Sequence, residues 1–284
     1  LKEGGRKTIC VIIYLTILGI SYKILMSLSA RYNGEGVMEE RSVNRDTEDK
    51  VTELKYEGKD KRIWECENPR HLVIEYKDLA ISEMGKKVGI IHNKGVYINK
   101  ITNHLFQYLE ENGVATHFVR ELNDRETVVK KVEIIPVEII VRNYVAGTLI
   151  ERLGLPEGTK LDMPVVEFYY KRADLLRNPM INSYHICALK LCTPKDLDIM
   201  EYNAYRINKI LSHYLAGQNI KLVDFKIEFG KAQNRILLAD EISPDTCRFW
   251  DSVTGEKLDK DRFRQDLGGV EEAYEEICKR LLNS

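Results

Sequence analysis

Hydrophobic and polar residues alternate strictly along Leu222-Val223-Asp224-Phe225-Lys226-Ile227-Glu228-Phe229-Gly230. Side chains along a strand point to opposite faces with a period of two. Val223, Phe225, Ile227 and Phe229 therefore make one apolar face, while Leu222, Asp224, Lys226 and Glu228 share the other. A second apolar run, Leu237-Leu238-Ala239, ends in Asp240-Glu241, so its carboxylates emerge beside the first strand. Two readings fit this pair. One is an amphipathic hairpin with a solvated charged face, common in antiparallel sheets. The other is a magnesium-nucleotide site, because Mg²⁺ is usually held by one or two carboxylates plus phosphate oxygens and water.

Toward the N-terminus, Lys2, Arg6 and Lys7 precede an apolar run from Ile9 to Ile20, which Lys23 interrupts. The pattern resembles a signal peptide or short anchor, but it falls short of the roughly 20 apolar residues of a spanning helix. The chain starts at Leu1, with Met26 and Met38 downstream. The expectation is an over-extended reading frame whose true start is one of those methionines, an anchor being the alternative. Residues 29–50 are polar without sustained periodicity and read as a disordered lead-in, so residues 1–50 form a leader.

Order is expected from Leu54. Leu54–Trp64 reads as strand, glycine turn and strand, with Lys59 and Lys61 on one parity beside Gly58. Such a turn is either a solvated basic loop or a triphosphate cover, the glycine permitting close backbone approach. His71–Tyr76 is a further strand, and Lys77–Gly95 reads as a loop. Ile101, Leu105, Tyr108 and Leu109 predict a helix over Asn99–Asn112, stopped by Gly113. Thr116–Glu121 and Thr127–Ile135 predict paired strands. The apolar run Ile134–Thr148 delivers Arg142 and then a small-residue turn, Ala146-Gly147-Thr148, into a short helix at Leu149–Leu153. An Arg ending an apolar strand needs a partner: either an anion, helped by N–H groups at the helix start, or a neighbouring Glu. Leu197–Ala216 and Val270–Leu282 show helical spacing, and His185, His213, Trp64 and Trp250 read as structural.

Composition narrows the function classes. A chain of 284 residues, 44% hydrophobic and 31% charged, has room for one large or two modest domains. Its 43 basic and 44 acidic residues leave a net charge of −1, without the basic excess of a nucleic-acid binder. The six cysteines are scattered and contain no C-x-x-C pair, which favours reduced thiols in a cytoplasmic protein over zinc or a disulfide framework.

Taken together and in order, these segments resemble the SAICAR synthetase family of purine biosynthesis. Ile134–Thr148 and Leu222–Gly230 are similar to its two signatures, Tyr56–Lys61 to its nucleotide loop, and Ala239–Asp251 and Asp259–Gly269 to its C-terminal site loops. The resemblance spans Leu54–Leu282. It implies an α+β, two-lobed fold related to kinase and ATP-grasp architectures. A β-rich nucleotide lobe at 51–135 would lie over an α+β substrate and metal lobe at 136–284, with ATP in the cleft. It implies an ATP-dependent ligase joining L-aspartate to 5-amino-1-(5-phosphoribosyl)imidazole-4-carboxylate (CAIR) through an acyl phosphate, giving SAICAR, ADP and phosphate. It further implies a cytoplasmic homodimer with no nucleic-acid or membrane partner.

Carried over by position, Lys59, Lys61 and Lys226 would contact the ATP phosphates, and Lys131 to Ile135, with Ile134, would form the adenine hinge. Glu228 and Asp240 would hold Mg²⁺. Arg142, Thr148, Arg248 and Arg264 would grip CAIR with Asp245 nearby, and Asn178 would face the aspartate. Lys226, Arg142 and Asp245 form the expected catalytic set, Asp224 a support, and Lys77–Gly95 a lid. Activating a carboxylate by phosphoryl transfer needs charge neutralisation and positioning more than a protein nucleophile, and no Ser or Cys nucleophile motif is present. The chain departs from the family pattern at Thr148 (usually Ser), at Asn178 (usually Asp before Pro), across residues 79–87, and at Cys187–Lys190. A small-molecule kinase acting on a polyol phosphate, and a nucleotide-binding protein without catalysis, are the alternatives.

Overall fold

The alternating stretch is the middle of a thirteen-residue strand with partners on both edges. The computed structural model describes residues 49–82, 87–172, 174–175 and 177–282. The apolar run Ile9–Ile20 and the starts expected at Met26 or Met38 lie outside them, as does the 83–86 tip of the expected lid.

The first half comprises β1 (Val51–Glu57), β2 (Lys61–Cys66), β3 (His71–Tyr76), β4 (Leu79–Ile81), β5 (Val88–Ile90), α1 (Lys94–Glu111), β6 (Phe118–Asn123) and β7 (Glu126–Lys130). Strands β1-β2-β3-β7-β6 make an antiparallel sheet in that order, and β4-β5 a small hairpin. The second half comprises β8 (Glu133–Tyr144), α2 (Thr148–Leu153), β9 (Lys160–Tyr170), β10 (Met180–Ile181), α3 (Ser183–Ala188) and α4 (Pro194–Gly217). It continues with β11 (Ile220–Ala232), β12 (Arg235–Ala239), β13 (Cys247–Asp251), α5 (Asp261–Arg264) and α6 (Val270–Leu282). Its sheet runs β10-β9-β8-β11-β12, with β13 also paired to β11. The described residues belong to one compact unit. The fold is α+β, as expected.

Parity decides what the second sheet buries. Val137, Ile139 and Val141 of β8 and Phe225, Ile227 and Phe229 of β11 pack with Leu105 and Phe106 of α1 and Met200, Ile207 and Leu211 of α4. Each such side chain, once fully buried, contributes about 1.5–3 kcal/mol relative to an exposed one. Helix α4 opens with a capping box: Asp196 N donates to Thr193 Oγ1 (3.1 Å) and Thr193 N to Asp196 Oδ2 (3.4 Å), with Pro194 pre-set for the first turn. The opposite face of the sheet is polar. The register sets Asp224 opposite Arg142, Lys226 opposite Ile140 and Glu228 opposite Glu138.

Several elements differ from the expectation. Residues 77–95 are not one loop: they hold the β4–β5 hairpin and the start of α1. Three-residue strands are too short to show periodicity, and Gly95 read as a loop residue although it sits inside the helix. A Cβ there would lie 2.3 Å from Tyr76 O and 2.6 Å from an Arg125 guanidinium nitrogen, so glycine is what lets α1 dock on β3. The strand expected through Ile135 breaks after Lys130, where the chain passes from the first sheet to the second. Strand β9 was not expected, because Lys160–Tyr170 lacks strict alternation; β13 fell in a stretch read as a site loop, and no element was expected at α3.

Replacing Gly95 with Ala should destabilise the fold by about 1–3 kcal/mol, the usual cost of overpacking against backbone. Urea titration checks this; an unchanged midpoint would refute the close-approach explanation.

Candidate active site

A cavity of about 490 Å³ lies between the first sheet and the polar face of the second. One part of its lining is apolar: Ile63, Leu72, Ile74, Val129, Val132 and Ile134. The remainder is charged and includes Lys59, Lys61, Lys171, Lys226, Glu228 and Asp240. An apolar slot joined to a charged floor suits a ligand with a flat ring at one end and anionic groups at the other.

The charged floor is a chain of alternating ions. Lys226 Nζ lies 3.0 Å from Asp240, 3.2 Å from Glu228 and 3.7 Å from Glu138. Lys61 contacts Asp240 and lies 3.2 Å from Glu241, while Lys171 lies 2.5 Å from Glu228. Asp240, the residue after β12, has φ 64°, the left-handed region that Asp tolerates better than most residues. Burial opposes its ionisation, but Lys226 and Lys61 hold its carboxyl well below the usual range. Burial likewise works against the Lys61 and Lys226 ammoniums, but Asp240 together with Glu241 beside Lys61, and with Glu228 and Glu138 beside Lys226, more than offsets it, so both stay charged. Glu241 goes the other way: burial pushes it up in spite of Lys61.

Beyond this floor, arginines gather around three carboxylates. Arg142 Nε donates to Glu167 at 2.7 Å and Nη1 to Asp224 at 2.9 Å. Arg248 donates to Asp224 at 2.8 and 3.0 Å and to Asp261 at 2.8 Å. Arg264 donates to Asp261 at 2.6 Å, and its buried Nε has no hydrogen-bond partner. The neighbouring-Glu alternative for Arg142 is therefore present, although the partner comes from the unexpected strand β9. Thr148 Oγ1 lies 3.5 Å from Arg142 Nη2, at the limit of a hydrogen bond. Gly147, at φ 55°, makes room for this cluster, since a Cβ there would lie 2.5 Å from an Arg248 nitrogen.

The profile of the SAICAR synthetase family matches residues 54–281. A relative from Coprothermobacter proteolyticus, named phosphoribosylaminoimidazole-succinocarboxamide synthase, is 59% identical over 81% of this chain and 97% of its own. A solved synthase from Ehrlichia chaffeensis shares 44% identity over 81% of this chain and 98% of its own, with a TM-score of 0.79. A solved SAICAR synthetase in complex with ADP shares 45% identity over 82% of this chain and 98% of its own, with a TM-score of 0.78.

The chain belongs to the SAICAR synthetase family. As a member it is an enzyme, an ATP-dependent ligase of purine biosynthesis.

Against that family expectation, Lys59, Lys61, Ile134, Lys226, Glu228, Asp240 and Asp245 all line the one cavity. Arg142, Arg248 and Arg264 form the adjoining cluster, and Asp224 joins Arg142 to Arg248. Lys131 lies at the sheet-to-sheet passage, but its ammonium points to Glu65 at 3.3 Å and its N–H donates to Arg70 O at 2.7 Å. Asp245 is committed within the protein: its carboxylate lies 2.6 Å from Lys260, 3.1 Å from Lys94 and 2.6 Å from Tyr274 Oη. Asn178 sits on the loop between β9 and β10, where its Oδ1 accepts from Arg172 N at 3.1 Å.

Sequence reasoning missed Glu138, Lys171, Glu167 and Asp261. Glu138 was within reach, because it shares parity with Arg142 along β8. The others depend on pairings that no local pattern announces.

His117 also lines the cavity, and burial pushes its imidazole down to about 3 from 6.5. Between those values the unfolded chain binds a proton that the folded one refuses, so stability falls as pH drops below about 6.5. The melting temperature should decline from pH 7.5 to 5, and less steeply in His117→Gln, which cannot titrate. Parallel declines would assign the acid sensitivity to other groups.

Proposed function

We propose that the chain joins L-aspartate to CAIR in this cleft, splitting ATP to ADP and phosphate. The observation that carries the reading is the cavity itself, with an apolar slot against a floor of lysines and carboxylates, in a chain of this family. The lobe over 51–135 contributes Ile63, Leu72 and Val129 to the slot and Lys59 and Lys61 to the floor, and the lobe over 136–284 contributes the rest of the floor and the arginines.

Adenine occupies the slot beside Val132 and Ile134, and the phosphates lie over Lys59, Lys61 and Lys226. Phosphate oxygens compete with Asp240 and Glu241 for the Lys61 ammonium, which frees carboxylate oxygens to face a cation. Glu228 and Asp240 already converge on one ammonium, that of Lys226, and a pair of oxygen donors aimed at one point suits a hard divalent ion. Among the described residues no three His, Cys, Asp or Glu side chains form a metal cluster, which suits a cation completed by phosphate and water. Glu228 and Asp240 would hold Mg²⁺, which when bound neutralises charge on the transferring phosphoryl group.

A CAIR carboxylate oxygen attacks the γ-phosphorus, the bond to ADP breaks, and a mixed acyl phosphate forms. The aspartate amine then attacks the acyl carbon, phosphate leaves with the C–O electron pair, and the amine gives up a proton. Arg142, Arg248 and Arg264, with Thr148, anchor the phosphate and carboxylate of CAIR, guanidinium forks being suited to both. Asn178, a neutral amide, sits on the loop we assign to the aspartate side.

The family reading extends to a homodimer in the cytoplasm. No helix among the described residues is long and apolar enough to cross a membrane, and the five described cysteines are free. Sedimentation at twice the chain mass would support the dimer; a monomer at working concentration would refute it.

Phosphate release should require CAIR and L-aspartate together. ADP formation indifferent to aspartate would indicate a kinase instead. Glu228→Gln, which keeps shape and removes charge, should lower kcat/KM for Mg-ATP by about 100-fold with an unchanged circular dichroism spectrum. Full activity would remove Glu228 from the metal site.

A further inference from the structure

Beneath the turn at Gly58–Asp60 lies a charge cluster that the ligase reaction leaves unassigned. Lys94 is fully buried; its Nζ lies 3.1 Å from Asp245 and 3.2 Å from Asp60, and it donates to Leu79 O at 2.9 Å. Lys260 approaches the same two carboxylates, at 2.6 Å from Asp245 and 3.6 Å from Asp60. Two ammoniums and two carboxylates thus neutralise one another at the edge of the cleft.

Lys94 stands where helix chemistry disfavours it. It is the first residue of the 18-residue α1, at the positive end of the helix dipole, with no acidic residue in the first turn. A buried ammonium is costly unless well paired, and packed apolar residues often serve a core equally well. Its partners are not in α1. They belong to the β1–β2 turn, to β4, and to the loop after β12; the turn and the loop line the cleft. Within the turn, Asp60 lies between Lys59 and Lys61, and Lys77 N donates to Asp60 O at 2.8 Å. The buried charge therefore acts on the segment that faces the phosphates.

We propose that Lys94, acting through Asp60 and assisted by Lys260, is a positioning residue that fixes the phosphate-facing turn so that Lys59 and Lys61 present their ammoniums to the nucleotide. This rests on the reading of the cleft as the ATP site. A turn already held in place binds phosphate without the entropy cost of ordering it. Releasing it weakens phosphate contacts and spares the apolar slot, which β2, β3, β7 and β8 build.

Calorimetric titration of the full chain with ADP and with adenosine separates these effects. Asp60 is partly exposed, so Asp60→Asn keeps the fold while uncoupling the turn. Its ADP affinity should fall about tenfold, with adenosine affinity held within about twofold. Lys94→Met should behave alike, and the double variant should be no weaker than the weaker single, because both break one contact. Unchanged ADP affinity in Asp60→Asn, equal losses for both ligands, or additive losses in the double variant would each overturn the proposal. A wild-type chain that binds no ADP would overturn the ATP reading, and this inference with it.

Discussion

The pairing of β8 with β11 is the constraint on which the rest of the site depends. Its register puts Asp224 beside Arg142 and Glu228 beside Glu138 on one face, while the other face closes the core. Side chains alternate, so a one-residue slip would carry the floor of the cleft into the hydrophobic core. The packing of Phe225, Ile227 and Phe229 against α1 and α4 therefore fixes where Lys226 and Glu228 point. Core and chemistry are two sides of one strand pair.

The polar face answers the difficulty of placing so many charges at half-buried positions. Lysines alternate with carboxylates along most of the floor, and arginines alternate with carboxylates beyond it. Pairs of this kind contribute little net stability, because desolvation consumes most of the attraction. What they supply is exchangeability. A lysine that a carboxylate holds now can be held equally well by phosphate, and the released carboxylate suits a divalent ion. Such a floor can accept a highly charged ligand by exchanging partners instead of opening.

Much of this was legible in the chain. The alternation at 222–230 located the central strand and its polar face, and the small residues at 146–148 located the turn into α2. Helices α4 and α6 followed from spacing, and the stretch from Leu54 to Leu282 carried the family resemblance. The losses have particular causes. Strand β9 is interrupted by Pro164 and has no clean alternation, so Glu167 and its hold on Arg142 were out of reach. The β4–β5 strands are too short to show a period, and the glycine that docks α1 looked like a loop residue. Lys94 and Asp60 are 34 positions apart, and nothing local to either says that they meet.

Asp240 carries a consequence of its own through its backbone. At φ 64° the chain favours Gly, Asn and Asp and penalises most other side chains. Glutamate would keep the charge and lose the conformation, whereas asparagine would keep the conformation and lose the charge. The usual scale of conservative replacement inverts at this position. Drift that the fold tolerates is drift that the chemistry does not, so the two filters together leave aspartate with few neutral neighbours in sequence space.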